Sequence, residues 1–502
     1  MTSTVDLVNQ SNGDLSEEKK TFIHLTFAEK FKYVREVITV EPLLTAYLVA
    51  AVICLPALLT LEYQKACLSN LGLNETVCQA IRESKHENYS DVNKEITILL
   101  SNIHSWQVPC QNIAPFILVL FLGSYSDRHQ IRKPFMVLPL IGELFAVLGC
   151  ILSVIFMKEW PVEIQGVLQT IVPSLFGGST LVIMAIFSYI ADSSTIEMRT
   201  LRVAVVQTVL NVALPVGQFL SGILFIHLDY IGVLSIAACL YTFGIVYGIF
   251  CIKETKKPKE TSEKKNLLLD ILDPTNALDT IKVLFKINTN PNITYFWTIL
   301  SMFFIVTGVT SVGYTTLFAY FQNVFFWTGP DFSYYSTANT VIHLIGIVVF
   351  VPLFTKIFRI SDVTILVFTY LDKIVSTVIL GLAGSNVVIY IGCLVSIISN
   401  ITIIALRSLA TKVVSEDDLG KAQSLIGICE AVGIAALTPF FNTIFVNTLS
   451  KAPSTFIFCE SVAYGICFLM ALFFYFQNFV PEEKENRDQN TTENVKMDDI
   501  QI

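Results

Sequence analysis

The stretch LGSYSDRHQIRKP, residues 122–134, decides how this chain is read. It lies between an apolar run at 113–122 and another at 135–156. Arg128, His129, Arg132 and Lys133 crowd the short connection, and cationic loops between apolar runs are retained on the cytoplasmic side of a membrane. Gly123 and Asp127 stand four apart, so they share one helical face at the membrane edge. A small residue there lets a second helix approach, and a carboxylate suits the positive N-terminus of a neighbouring helix. An ordinary positive-inside loop is the plainer alternative.

Composition supports the same class. Of 502 residues, 53% are hydrophobic and only 15% charged, with a mean hydropathy of +0.62; soluble domains carry about 25% charge. Repeated apolar runs of about 20 residues make this an all-α, polytopic membrane protein embedded in the lipid bilayer. The net charge of -8 and the absence of a basic, aromatic-studded patch argue against nucleic acid as a partner. Most of the 11 cysteines lie inside apolar runs as packing residues, and no zinc-type Cys-x-x-Cys occurs. Neither a metal nor a cofactor is expected. No nucleophile–base set and no phosphate loop is visible, so the chain is read as neither an enzyme nor an ATP-driven pump.

Taken in order, residues 1–40 form a polar cytoplasmic tail without the apolar core of a cleavable signal peptide. Glu41-Pro42 opens the first span, about 42–61. A polar loop, 62–101, carries Cys67, Cys78 and two sequons at Asn74 and Asn88. With the tail inside, this loop is outside, where disulfides form and sequons are used; Cys67 and Cys78 are expected to pair. Spans follow at about 104–123, 135–156, 164–190, 203–226 and 230–252. The stretch 253–291 is a hydrophilic central loop whose six lysines at positions 253–265 mark it as cytoplasmic. Six more spans follow, about 295–322, 335–354, 362–383, 387–410, 422–445 and 455–476, then an acidic cytoplasmic tail at 479–502. Twelve spans with both ends inside satisfy the charge alternation. The chain thus divides into an N-terminal bundle at 41–252 and a C-terminal bundle at 292–478, each of six helices.

The segment after span four, SYIADSSTIEMRTLRVAVVQ, is echoed after span ten as SLATKVVSEDDLGKAQSLIG, as an internal duplication requires. Several motifs narrow the class further: Glu41-Pro42, GSYSDR, Phe176-Gly177-Gly178, YIAD ending at Asp192, RTLRVA from Arg199 through Arg202, and the spacing from Arg407 to Lys412. Together they resemble solute carrier family 46, the folate-transporter-like branch of the major facilitators. The 122–134 stretch resembles that superfamily's loop G-x-x-x-D-R-x-G-R-R, with Gln130 and Ile131 where the pattern has Gly and Arg. The resemblance implies two six-helix bundles rocking about a midplane cavity. It also implies transport of a folate, a steroid conjugate or a muropeptide, usually with protons. Arg407 matches the folate member's span-ten arginine and Tyr335 a cavity tyrosine. Its functional glutamate and histidine are replaced here by Gln207 and Thr310, which weakens the case for folate itself.

Ionisable groups inside a span cost roughly 3 kcal/mol on insertion scales, so each needs a reason. Arg407 reads either as a cavity cation for an anionic substrate or as an inner-edge side chain reaching for water. Glu430, among Gly427, Gly433 and Ile434, reads as a desolvated carboxylate able to take up and release a proton, or as a structural hydrogen-bond partner. Gln207 and Asn211 are four apart and plausible cavity residues that cannot carry a proton. The adjacent Asp372 and Lys373 diverge around the helix and are read as structural, as is Glu143. His104 and His343 are read as packed hydrogen-bonding residues that could titrate near neutrality. Asp127, Asp192, Arg199 and Arg202, with Gly123, Arg128 and Arg132, form a cytoplasmic gate-and-scaffold group. Glu263 followed by Leu267-Leu268 fits an acidic dileucine sorting signal.

The expected function is secondary active transport of a small organic anion, coupled to protons, by alternating access, in the plasma membrane or an endolysosomal membrane. The other class consistent with the missing Glu and His is a receptor or scaffold on a transporter fold. The chain is expected to be a monomer or weak homo-oligomer.

Overall fold

The computed structural model describes residues 39–83, 89–193, 196–254, 293–312, 314–413 and 419–477. The tails, Asn88, and the central loop with its dileucine string lie outside them. So do the side chains of Gly123, Asp127, Arg128, Arg199 and Gln207, whose backbone is helical. Among the described residues there are helices joined by short turns and no strand, and ten of the helices are long and apolar enough to cross a membrane.

Local chemistry explains where the helices begin. α1 (Glu41–Lys65) starts where the Glu41 carboxylate accepts from the Thr39 and Val40 amides at 2.7 and 2.9 Å, with Pro42 in the first turn. It runs on through a π-helical turn, Ala66–Asn70. Helix α2 (Glu75–Arg82) follows, and Cys78 bonds back to Cys67. Asp229, at φ 54°, then breaks a helix otherwise continuous from Ile196 to Phe250. Fifty-five helical residues would extend about 80 Å, far beyond a hydrocarbon core of about 30 Å, so the break separates two crossings.

Between these lie α3 (Ser90–His129), α4 (Lys133–Ile155), α5 (Val162–Gly166), α6 (Val172–Leu175) and α7 (Gly178–Ser193), with α8 (Ile196–Phe250) closing the first half. The second half holds α9 (Ile293–Val312), α10 (Thr315–Phe325), α11 (Gly329–Pro352), α12 (Asp362–Gly381), α13 (Asn386–Val395), α14 (Ile401–Val413), α15 (Leu419–Thr448) and α16 (Thr455–Phe476). A capping box between Thr328 and Asp331 sets the start of α11.

Two boundaries differ from the sequence reading. The second crossing begins at Ser90 rather than near His104, and the first continues to Asn70, so Glu62 lies inside a helix and not in a loop. Gly177 and Gly178, at φ 93° and 51°, break span four, which explains the Phe-Gly-Gly motif through backbone sterics. Gln130 also adopts a left-handed φ of 56° at the C-cap of α3, where the family pattern has Gly.

The apolar cores show how the halves meet. At the end bearing the disulfide, one cluster takes Leu59, Tyr63 and Ile103 from the first half together with Phe318, Tyr335 and Phe445 from the second. At the opposite end, where residues 254 and 293 flank the central loop, the cores separate. One is built around Leu43, Phe135 and Tyr241, the other around Phe303, Tyr370 and Leu406. Among the described residues the halves therefore share one core at the disulfide end and keep separate cores at the linker end.

Candidate functional site

Arg407 on α14 and Glu430 on α15 meet. The Arg407 Nη2 donates to Glu430 Oε1 at 2.8 Å and to Oε2 at 3.1 Å. The pair lies toward the end where the halves part. Half of the Arg407 side chain and about a quarter of Glu430 remain exposed (50% and 23%), so an incoming anion could reach the guanidinium. Gly433, one turn beyond Glu430, packs against the backbone of α9: a Cβ there would stand 2.5 Å from the Phe304 carbonyl oxygen. Gly427 has open space around it and makes no such approach.

Above this pair, within the second half, lies a cavity of about 160 Å³ lined in part by Tyr335 and Thr310. Their companions there include Lys373 and Glu460. The Lys373 ammonium sits 5.1 Å from the centre of the Tyr464 ring, and the Tyr464 hydroxyl is 3.4 Å from that of Thr310. The buried Glu460 Oε1 has no hydrogen-bond partner. Lys373 thus lines a polar cavity, and its neighbour Asp372 accepts from Ser399 at 2.7 Å. His343 pairs with Ser396 at 3.0 Å.

A second cavity, about 120 Å³, lies in the seam between the halves. There His104 Nε2 is 2.8 Å from Glu62 Oε2, and Gln169 donates to the other carboxylate oxygen. Tyr314 and Thr315 close it from the second half. Glu143, deeper in the first half, accepts from the Tyr47 hydroxyl at 3.2 Å. Asn211 is half-buried.

The linker-end rim of the first half is a hydrogen-bonded net. Arg132 Nε donates to Asp192 at 2.9 Å, and the amides of Arg132 and Lys133 donate to Glu254 at 3.1 and 3.0 Å. The buried Arg202 donates to Ser193 and Thr39. These contacts brace one half internally. Among the described residues they do not reach the other half.

Comparison with known proteins then settles the class. The family profile described as Major Facilitator Superfamily matches residues 98–438, more than half of the chain. The chain belongs to the major facilitator superfamily. As a major facilitator it is an integral, multi-pass membrane transporter and not an enzyme.

It is 26% identical over 426 residues to a Gallus gallus protein named lysosomal proton-coupled steroid conjugate and bile acid symporter SLC46A3, covering 83% of this chain and 89% of that one. It is 31% identical over 230 residues to the proton-coupled folate transporter of Rattus norvegicus, covering 44% and 47%. Its fold is similar to the human organic anion transporter MFSD10, with a TM-score of 0.57 and 16% identity over 87% of this chain and 99% of that one.

Sequence reasoning on this major facilitator missed Glu62, Glu460 and Glu254. Glu460 stood in plain view in the apolar string FIFCESVAYG, where an intramembrane acid asks for a partner. Glu62 was hidden by a helix end drawn too early. Glu254 carried no local signal, because its partners are amides more than 120 residues away.

Proposed function

We propose that this chain carries a small organic anion across the membrane together with a proton, using Arg407 and Glu430 as the exchange point. The observation that carries the reading is their ion pair at the end where the halves part. A proton on Glu430 cancels the charge that holds the guanidinium. Arg407 is then free to take the carboxylate or sulfate of a substrate. Anion and proton enter together because each removes the obstacle to the other. Tyr335 and Thr310 extend the site, and Gln207 and Asn211, four apart in sequence, orient substrate from the first half. The relatives' names, which include a steroid-conjugate symporter and a folate transporter, agree with an anionic cargo.

In this reading the linker end faces the cytoplasm, both tails are cytoplasmic, and the structure is the inward-facing state. Asn74, exposed at the start of α2, and Asn88 are then on the glycosylated side with the Cys67–Cys78 disulfide. The rim residues Gly123, Asp127, Arg128, Arg132, Asp192, Arg199 and Arg202 brace the first half as it rocks. The transporter works as a monomer or weak homo-oligomer in the plasma or endolysosomal membrane.

The test is uptake of a labelled steroid sulfate and a labelled folate into proteoliposomes across a range of pH. Arg407→Ala should abolish uptake of whichever anion is carried, and Glu430→Gln should make uptake indifferent to pH. A Glu430→Gln protein with the wild-type pH profile would retire the proton role. No counterflow of any anion in the wild type would leave a binding scaffold instead.

A further inference from the structure

We propose that Glu62 and His104 form a separate proton-binding site in the seam between the halves, and that it ties closure of the disulfide end to proton uptake. The proposal deepens the proton-coupled reading above and rests on it. Glu62 is 1% exposed and His104 8%, and their side chains meet at 2.8 Å. Gln169 satisfies the remaining carboxylate oxygen. The cavity beside the pair is bounded by both halves, and two buried polar atoms on its wall, Gln107 Nε2 and the Tyr314 hydroxyl, have no protein partner. Buried polar groups that lack a protein partner are the usual companions of bound water, which is the medium a proton needs.

The charge balance gives the mechanism. With one proton shared between them, Glu62 and His104 are neutral overall. Without it, a net negative charge remains, and among the described residues no lysine or arginine lines the cavity to offset it. Other titratable groups facing the pair are Tyr314 from the second half, and Tyr63 on α1 and Cys150 on α4, which both lie within electrostatic reach of Glu62. Lys65, one turn along α1, is committed to the carbonyls of Phe156, Met157 and Trp160 at 2.8–3.3 Å.

Closing the seam over the unprotonated pair would bury an uncompensated charge, which disfavours the closed state. Opening the seam returns the pair to water. Closure and proton binding therefore favour one another, and the linkage is reciprocal. The site differs from Arg407–Glu430 in what it governs: it responds to the position of the halves, not to substrate.

That difference allows a test without any substrate. The full chain would carry spin labels at Gln79 and Lys451, exposed positions on opposite halves of the disulfide end, introduced as cysteines with the nine free cysteines replaced. Their distance distribution would be read in lipid nanodiscs from acid to neutral pH. Wild type should favour the short distance in acid, the closed-to-open ratio changing by up to about tenfold per pH unit, the limit for one linked proton. Glu62→Gln and His104→Gln should each flatten this dependence to less than about twofold. His104→Gln keeps a donor for Glu62 and so remains informative if Glu62→Gln fails to fold.

A wild-type distribution indifferent to pH overturns the proposal, as does a pH response that survives in both variants. Flattening by Glu430→Gln alone overturns it in favour of a single proton site. Loss of anion uptake in the assay above, with this pH response intact, would count against the transport reading and not against this one.

Discussion

The two ends of the molecule are built on different principles. At the disulfide end, residues from both halves share one core, and polar bonds cross the seam. Asn93 donates to Asn323 at 2.8 Å, Asn323 to Thr97 at 2.8 Å, and Thr340 to Gln218 at 3.0 Å. At the linker end each half has a core of its own, and its polar residues brace that half internally. The contrast shows what an alternating device needs. The crossing bonds are neutral and worth about 1 kcal/mol each, and water can replace them when the seam opens. Close backbone-to-backbone approaches between helices also occur within a half. Gly308 and Gly433 bring α9 and α15 together so closely that a Cβ on Gly308 would lie 2.6 Å from the Gly433 carbonyl oxygen. Strong internal packing with modest contacts across the seam lets rigid halves rock.

The largest effect should come from forbidding the seam to open. With the free cysteines replaced, cysteines at positions 93 and 323 joined by a short, reducible bis-thiol reagent should stop anion transport, and reduction should restore it. Full transport by the crosslinked protein would show that this end does not open. Next in size, Gly433→Ala forces a methyl group onto α9. Overpacking of this kind costs about 1–3 kcal/mol, seen as a lower unfolding temperature in detergent. The closed-to-open ratio should stay within a factor of two of wild type at fixed pH, because both helices belong to one half.

Asn323→Ala should do the reverse. It removes two crossing bonds, together worth about 2 kcal/mol, which shifts the closed-to-open ratio about thirtyfold toward open with a smaller change in unfolding temperature. An equal loss of stability without a shift would mean these bonds serve the fold and not the cycle. Gln130→Gly, which relieves a left-handed φ of 56° at the linker end, should raise stability by about 1 kcal/mol and leave the conformational balance untouched. The smallest effect is expected at Lys158→Ala, whose 3.4 Å pair with Glu75 is solvent-exposed on both sides and should leave unfolding and transport unchanged.

The chain's own pattern of greasy runs and basic loops determined the membrane class and the pairing of two similar halves, because the bilayer admits few solutions and each leaves a period in the sequence. Resemblance to the folate-transporter-like family pointed to Arg407, Tyr335 and Thr310, and the intramembrane acid Glu430 was legible as an exception that needed a reason. What the sequence could not supply was who meets whom. Arg407 and Glu430 are 23 positions apart on different helices, Glu62 and His104 are 42 apart, and Lys373 shares a cavity with Glu460 from another helix. Those meetings depend on helix rotation and crossing, which small residues such as Gly308 and Gly433 fix through packing distances that no local window records. Only the tertiary structure decided which end of the molecule is shut.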